Sequence, residues 1–255
     1  MAEKRALPEV RALTFDVFGT VVNWRSSITA ALREAAAHDS RHRGQAAVDW
    51  SSFAQEWRDS YGQFTKSFEP GVTPWKDIDT HHRDSLVELL SDHGLGGFFS
   101  SDEIDKLSKQ WHYLTPWDDS AEGIHALGSK YTTATLSNGN QSLLKDLNET
   151  GALGFQKIFS AEDFKAYKPN PATYLGAVEG LGLEPKQVAM VAAHLSDLAA
   201  ARKYGLRTIY VERREEEAWK PTSPEYQDAK TWVDIWVSEG EGGFLEVARR
   251  LGIKA

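Results

Sequence analysis

The chain has 255 residues, of which 41% are hydrophobic and 26% charged, with nine tryptophans and no cysteine. That length allows one large domain or a core carrying an inserted unit. The absence of thiols excludes disulfides, cysteine nucleophiles, iron–sulfur clusters and cysteine-ligated zinc. A net charge of −8 disfavours nucleic acid, since phosphate binding needs clustered basic residues and here they are scattered. No apolar run approaches the roughly 18 residues of a membrane span, and Met1 to Ala6 lacks the apolar stretch of a secretory signal. A cytoplasmic protein with a small-molecule substrate, no membrane and no nucleic acid is the expectation.

In chain order, the first apolar run covers residues 12–15, bounded by Asp16 and Gly19, and predicts a buried strand. Residues 26–111 differ. Helical periods dominate, as in Phe53, Trp57, Tyr61, Phe64 and in Leu86, Leu89, Leu90, and Pro/Gly clusters at 70–74 and 94–97 mark turns. This predicts a helical insertion after the first strand, with Trp50, Trp57, Trp75 and Trp111 as packing for a small core. Thr115-Pro116-Trp117 marks the return. Strands follow at 131–136, 188–192 and 207–211, and residues 232–237 alternate as a last, partly exposed strand. Helices are predicted at 141–150, at 171–181 before Gly182, and at 197–204 before Gly205. Alternating strands and helices predict an α/β fold: a doubly wound parallel sheet, with the core in residues 1–24 and 113–255 and the helical unit in 25–112.

Ligands of doubly wound sheets sit beyond the carboxyl ends of the strands. Asp16-Val17-Phe18-Gly19-Thr20 follows the first strand and Ser137-Asn138-Gly139 the second. Tyr167-Lys168-Pro169 precedes the helix at 171, and Ala193-His194-Leu195-Ser196-Asp197 follows the strand at 188–192. Two carboxylates, a lysine and a histidine therefore converge on one edge. A carboxylate on a strand tip, with a glycine nearby and helix amino termini around it, suits a nucleophile that handles anions.

Asp-x-Phe-Gly-Thr, Leu-Ser-Asn-Gly, Tyr-Lys-Pro with Tyr174 six residues past the lysine, and a motif ending in Asp197 resemble, in this order, the haloacid dehalogenase superfamily. The resemblance extends from Ala12 to about Val211 and is nearest to the type II 2-haloacid dehalogenases. It implies a Rossmann-like core with a helical cap. Phosphatases of the superfamily carry an acid two residues after the nucleophile, where this chain has Phe18. A halide leaves as a stable anion and needs no proton, whereas an alkoxide does. The phosphatases also tend to hold magnesium with two acids in the last motif; here only Asp197 is present, with His194 three residues before it.

The implied activity is hydrolytic dehalogenation of short 2-haloacids, haloacetates included, with neither metal nor organic cofactor. The resemblance makes Asp16 the nucleophile and Lys168 the charge that keeps it ionised. Ser137 and Asn138 become the substrate-carboxylate site, with Thr20 and Tyr174 as hydroxyl supports. Phe18 and Trp24 become apolar wall, and the pair Trp57-Arg58 the halide site, with Arg25 as the rival arginine. His194 stands where the family commonly has asparagine. Paired with Asp197, it is expected to activate water for hydrolysis of an ester on Asp16. A homodimer is the assembly implied. The alternatives are a magnesium-dependent phosphatase using Asp16 and a non-enzymatic binding module. His81-His82, and His38 with His42, lack the spacing and acidic partners of a metal motif and predict surface helix. Arg213 to Glu217 reads as a solvated charge run.

Overall fold

The computed structural model describes residues 7–38 and 48–253. His42 and the first six residues lie outside them. Six parallel strands form one sheet in the order β3-β2-β1-β4-β5-β6. They are β1 (Ala12–Phe15), β2 (Thr132–Ser137), β3 (Lys157–Ser160), β4 (Val188–Ala192), β5 (Arg207–Val211) and β6 (Ile235–Val237). Strands β1, β2, β4 and β5 match the expected positions to within one residue. β3 was not expected: it is an edge strand of four residues that opens on an exposed lysine, so hydrophobic alternation barely registers. β6 is shorter than expected because Trp232 ends the preceding helix α10 (Pro224–Trp232).

The central strands are buried on both faces, and their alternating side chains feed two cores. Ala189 and Val191 of β4 pack with α5 (Ser120–Gly128), α6 (Gln141–Thr150) and α11 (Gly243–Arg250). Val188, Met190 and Ala192 pack with α8 (Pro171–Leu181), α9 (Leu195–Lys203) and α10. The chain runs outward from β1 to β2 and β3 on one side and to β4, β5 and β6 on the other. The switch between β1 and β4 opens a crevice at their carboxyl ends. Asp16, the residue after β1, sits there and donates its N–H to Val191 of β4 at 3.0 Å.

Among the described residues, the elements between β1 and α5 are all helical: α1 (Trp24–His38), α2 (Trp50–Ser67), α3 (Ile78–Asp92), α4 (Ser101–Lys109) and a 3₁₀ turn at Gln110–His112. Both ends of this insertion are stitched together, by Asn23 N–H to Thr115 O at 2.8 Å and Trp117 N–H to Val21 O at 3.0 Å. Trp24, Trp57 and Trp111 are fully buried. His81 and His82 correct the surface-helix expectation: both are buried, and the His82 ring stacks on Trp111 at 4.3 Å. Burial pushes the His82 imidazole well below its ordinary value, so it packs as a neutral aromatic. Among the described residues no helix is long and apolar enough to cross a membrane.

His112 ties the insertion to the core. Nε2 meets Asp79 of α3 at 2.9 Å and Nδ1 meets Asp146 of α6 at 2.6 Å, while Lys109 also pairs with Asp79. Burial opposes the charge on His112, but the bonds to Asp79 and Asp146 win and its pKa is raised. A raised histidine stabilises most below its unfolded value of about 6.5. That contribution is lost as pH rises through the folded value. His112→Gln should therefore cost about 1–3 kcal/mol at pH 6, and less at pH 9, in paired urea denaturation curves. A pH-independent difference would contradict a charged clasp.

Candidate active site

Four segments meet at the β1/β4 crevice. The Asp16 carboxylate is buried. Its Oδ1 accepts from Lys168 Nζ at 2.9 Å. Its Oδ2 accepts from Thr20 Oγ1 at 2.7 Å and meets His194 Nδ1 at 3.1 Å. Burial would raise this carboxyl, but the Lys168 charge and the His194 hydrogen bond hold it well below the usual carboxylate range. Asp16 is thus an ionised carboxylate with little water around it.

Lys168 also donates to Asp197 Oδ2 at 2.5 Å, and the hydroxyl of Tyr174 donates to Asp197 Oδ1 at 2.5 Å. Burial alone would lower the Lys168 pKa; the two carboxylates more than reverse this and raise it. Every oxygen of Asp16 and Asp197 therefore has a donor. A divalent cation would have to displace an ammonium already bridging both groups.

Asn138 does something different from the role expected of it. Its Oδ1 accepts the Lys168 N–H at 2.7 Å, and its amide nitrogen reaches the Lys168 carbonyl at 3.4 Å. The side chain holds the lysine's backbone. Ser137 Oγ accepts the Gly139 N–H at 3.2 Å, which leaves its own proton to donate. Thr20 Oγ1 accepts from Ala193 N–H at 2.9 Å while donating to Asp16, tying the β1 loop to the β4 loop.

His194 corrects the expected pairing. Its ring does not meet the Asp197 carboxylate, whose oxygens belong to Lys168 and Tyr174. Its Nε2 instead meets Glu216 Oε2 at 3.3 Å, and that same oxygen accepts from Trp24 Nε1 at 3.1 Å. Burial disfavours the charged ring, but Asp16 and Glu216 raise its pKa to about 10. His194 is an imidazolium held between two carboxylates.

Glu216 was missed because Arg213 to Glu217 reads as a solvated charge run. The structure corrects this. Arg213 is buried and grips Asp119 through two bonds of 2.6 and 2.9 Å while donating to Thr20 O at 3.0 Å. Glu217 accepts the Leu195 N–H at 2.6 Å, which starts α9 two residues earlier than expected. The run is a strap across the site. Gly19 makes room for the Glu216 carboxylate: its φ is +82° and an added Cβ would lie 2.0 Å from Glu216 Oε2. The positive φ favours glycine there, and a larger residue would push the Glu216 carboxylate aside.

Trp57 and Arg58 separate, since successive residues on a helix point about 100° apart. Trp57 does not face the site. Its N–H donates to His82 O and Ser85 Oγ, both at 3.1 Å, inside the insertion. The Arg58 guanidinium lies over the rings of Tyr61, Phe18 and Trp24, at 4.4, 5.5 and 5.7 Å. Among the described residues no carboxylate pairs with it. Arg25, the rival, is occupied by Gln55 and Glu215 and stacks on Trp24. Phe18 is buried and meets Tyr61 and Trp111 edge-on.

The model of the haloacid dehalogenase-like hydrolases matches residues 10–205. An (S)-2-haloacid dehalogenase 4A of Burkholderia cepacia is 26% identical over 236 residues, covering 89% of this chain and 94% of that protein. Among solved structures, a defluorinating L-2-haloacid dehalogenase is 35% identical with a TM-score of 0.82, covering 95% of each chain. Another L-2-haloacid dehalogenase is 33% identical with a TM-score of 0.79, covering 95% of this chain and 99% of that one.

The two carboxylates on His194 define a testable charge state. Glu216→Gln removes one of them. The His194 titration, read by ¹⁵N NMR of the ring nitrogens, should move down from about 10 by roughly one unit or more. An unmoved titration would show that Glu216 does not act on the ring.

Proposed function

The chain belongs to the haloacid dehalogenase-like hydrolases, and we propose that it hydrolyses the carbon–halogen bond of short 2-haloacids through an ester on Asp16. One observation carries the reading: an ionised, buried Asp16 acts on Tyr61, whose ring lies under an Arg58 that has no carboxylate partner among the described residues. An anionic nucleophile and a cation awaiting an anion suit displacement of a halide.

In this reading the substrate carboxylate sits near Ser137 and the backbone of that loop. Asp16 attacks the carbon bearing the halogen from behind. The carbon–halogen bond breaks with its electron pair, and the halide leaves toward Arg58. The buried aromatic wall strips water from the nucleophile. Phe18 supplies no proton, and a halide needs none. Water then attacks the Asp16 carboxyl carbon, activated by His194, with Glu216 rather than Asp197 holding the ring. The product is a 2-hydroxy acid of inverted configuration. Lys168, steadied by Asp197, Tyr174 and Asn138, stabilises the charge on Asp16 before attack and again as the carboxylate re-forms. Haloacetates and 2-chloropropionate fit this chemistry, and the 2-haloacid dehalogenases that the chain resembles point the same way.

The test is free halide released from haloacetates and from each enantiomer of 2-chloropropionate in EDTA, beside a generic phosphate ester with magnesium. Halide release that ignores EDTA, with Asp16→Asn falling below about a thousandth of the parent rate, is the expected result. Magnesium-dependent phosphate release without halide would transfer Asp16 to phosphatase chemistry.

A further inference from the structure

His194 poses a problem for any role in activating water. Its Nδ1 faces Asp16 at 3.1 Å and its Nε2 faces Glu216 at 3.3 Å. Ionised carboxylates only accept hydrogen bonds, so both ring nitrogens must donate and the resting ring carries two protons. An imidazolium cannot take a proton from water. It has to lose one first, and alkylation of Asp16 supplies the reason. When Asp16 becomes an ester its negative charge disappears, and the strongest reason for holding a proton on Nδ1 disappears with it.

The groups facing the ring determine what remains. On the β1 side the ester is neutral. From the loop before α8, Lys168 contributes a positive charge compensated by Asp197 of α9. From the strap, Glu216 still faces Nε2, while Glu217 is engaged with the N–H groups of Leu195 and Trp219. Trp24 Nε1, from α1, competes for the same Glu216 oxygen at 3.1 Å. One shared carboxylate replaces two around a buried cation. An exit is also present: the His194 side chain is 23% exposed, against 4% for Glu216 and 11% for Asp16.

Resting on the ester reading above, we infer that the proton generated by dehalogenation leaves from His194 with the halide, before water attacks. The balance closes. In the first half the Asp16 oxygen–carbon bond forms, the carbon–halogen bond breaks, and His194 releases one proton to solvent. In the second half a water O–H bond breaks, its proton going to Nδ1 and its oxygen to the Asp16 carboxyl carbon. The substrate oxygen leaves that carbon and takes the proton from Nδ1, giving the hydroxy acid. The remaining carboxyl proton passes to Nδ1 and restores the imidazolium–carboxylate pair. The sum is haloacid and water giving hydroxy acid, halide and one proton, with the proton early.

The experiment is a single turnover of 2-chloropropionate with enzyme in excess, in a weakly buffered indicator solution near pH 8.5. Protons are read by stopped flow, and halide and hydroxy acid by rapid quench. Mixing with propionate gives the protons due to anion binding, which are subtracted. One proton per site, appearing with halide and ahead of hydroxy acid, is expected. Glu216→Gln, run near pH 7 because its ring titrates lower, separates the steps further: it should slow ester hydrolysis at least tenfold while halide and proton still appear together. His194→Ala should release halide with no accompanying proton.

Protons that appear only with hydroxy acid, in the parent or in Glu216→Gln, overturn the inference. So does an undiminished proton burst in His194→Ala, or hydrolysis in Glu216→Gln as fast as in the parent. Absence of any halide would instead overturn the ester reading itself, so the two failures are distinguishable.

Discussion

One buried ammonium organises the crevice. Lys168 stands between Asp16 and Asp197 with its side chain only 9% exposed, and two carboxylates so placed cannot both stay ionised without it. Removing one partner from such a cluster strands a buried charge and costs several kcal/mol, roughly 3–5, so the surrounding structure is committed to holding the lysine in place. Asn138 grips its backbone, Tyr174 takes the outer oxygen of Asp197, and Thr20 takes the second oxygen of Asp16. Each comes from a different segment. The doubly wound sheet brings them together because β1 and β4 are neighbours at the point where the chain reverses direction.

A second cation stands in the same crevice. His194 adds a positive group on the side of Asp16 opposite Lys168, and it needs its own anion to be retained there. Glu216 arrives on a strap pinned by Arg213 to Asp119 and to the Thr20 carbonyl. Gly19 leaves the space that Glu216 fills. Trp24 gives Glu216 a further donor and at the same time packs under Arg58. Asp16, His194 and Arg58 are therefore mechanically linked through one indole and one strap.

The amino-acid sequence made legible whatever depends on local pattern. The strand ending at Phe15, the helix closed by Gly182 and the alternation beyond residue 131 follow from short-range chemistry. The order of motifs around Asp16, Lys168 and Asp197 located the crevice. What stayed hidden depends on tertiary contact. An edge strand such as β3 has too little buried surface to mark its sequence. A run of charges is indistinguishable from solvated loop until Arg213 is seen to be buried. Trp57 and Arg58 are adjacent in sequence, and only the packing of α2 on α3 fixes which of them faces the crevice. Asn138 could as well have faced a ligand, until the Lys168 backbone is found on it. The partner of His194 is hidden for the same reason: proximity in sequence favours Asp197, and the fold supplies Glu216.

The most direct measurement is a single turnover in H₂¹⁸O with enzyme in excess, followed by mass spectrometry of the product and of the peptide containing Asp16. An ester on Asp16 that is opened at its carboxyl carbon leaves ¹⁸O in the aspartate and none in the first equivalent of hydroxy acid. Label in the hydroxy acid, with Asp16 unlabelled, would mean that water attacks the substrate directly and that Asp16 is not the nucleophile.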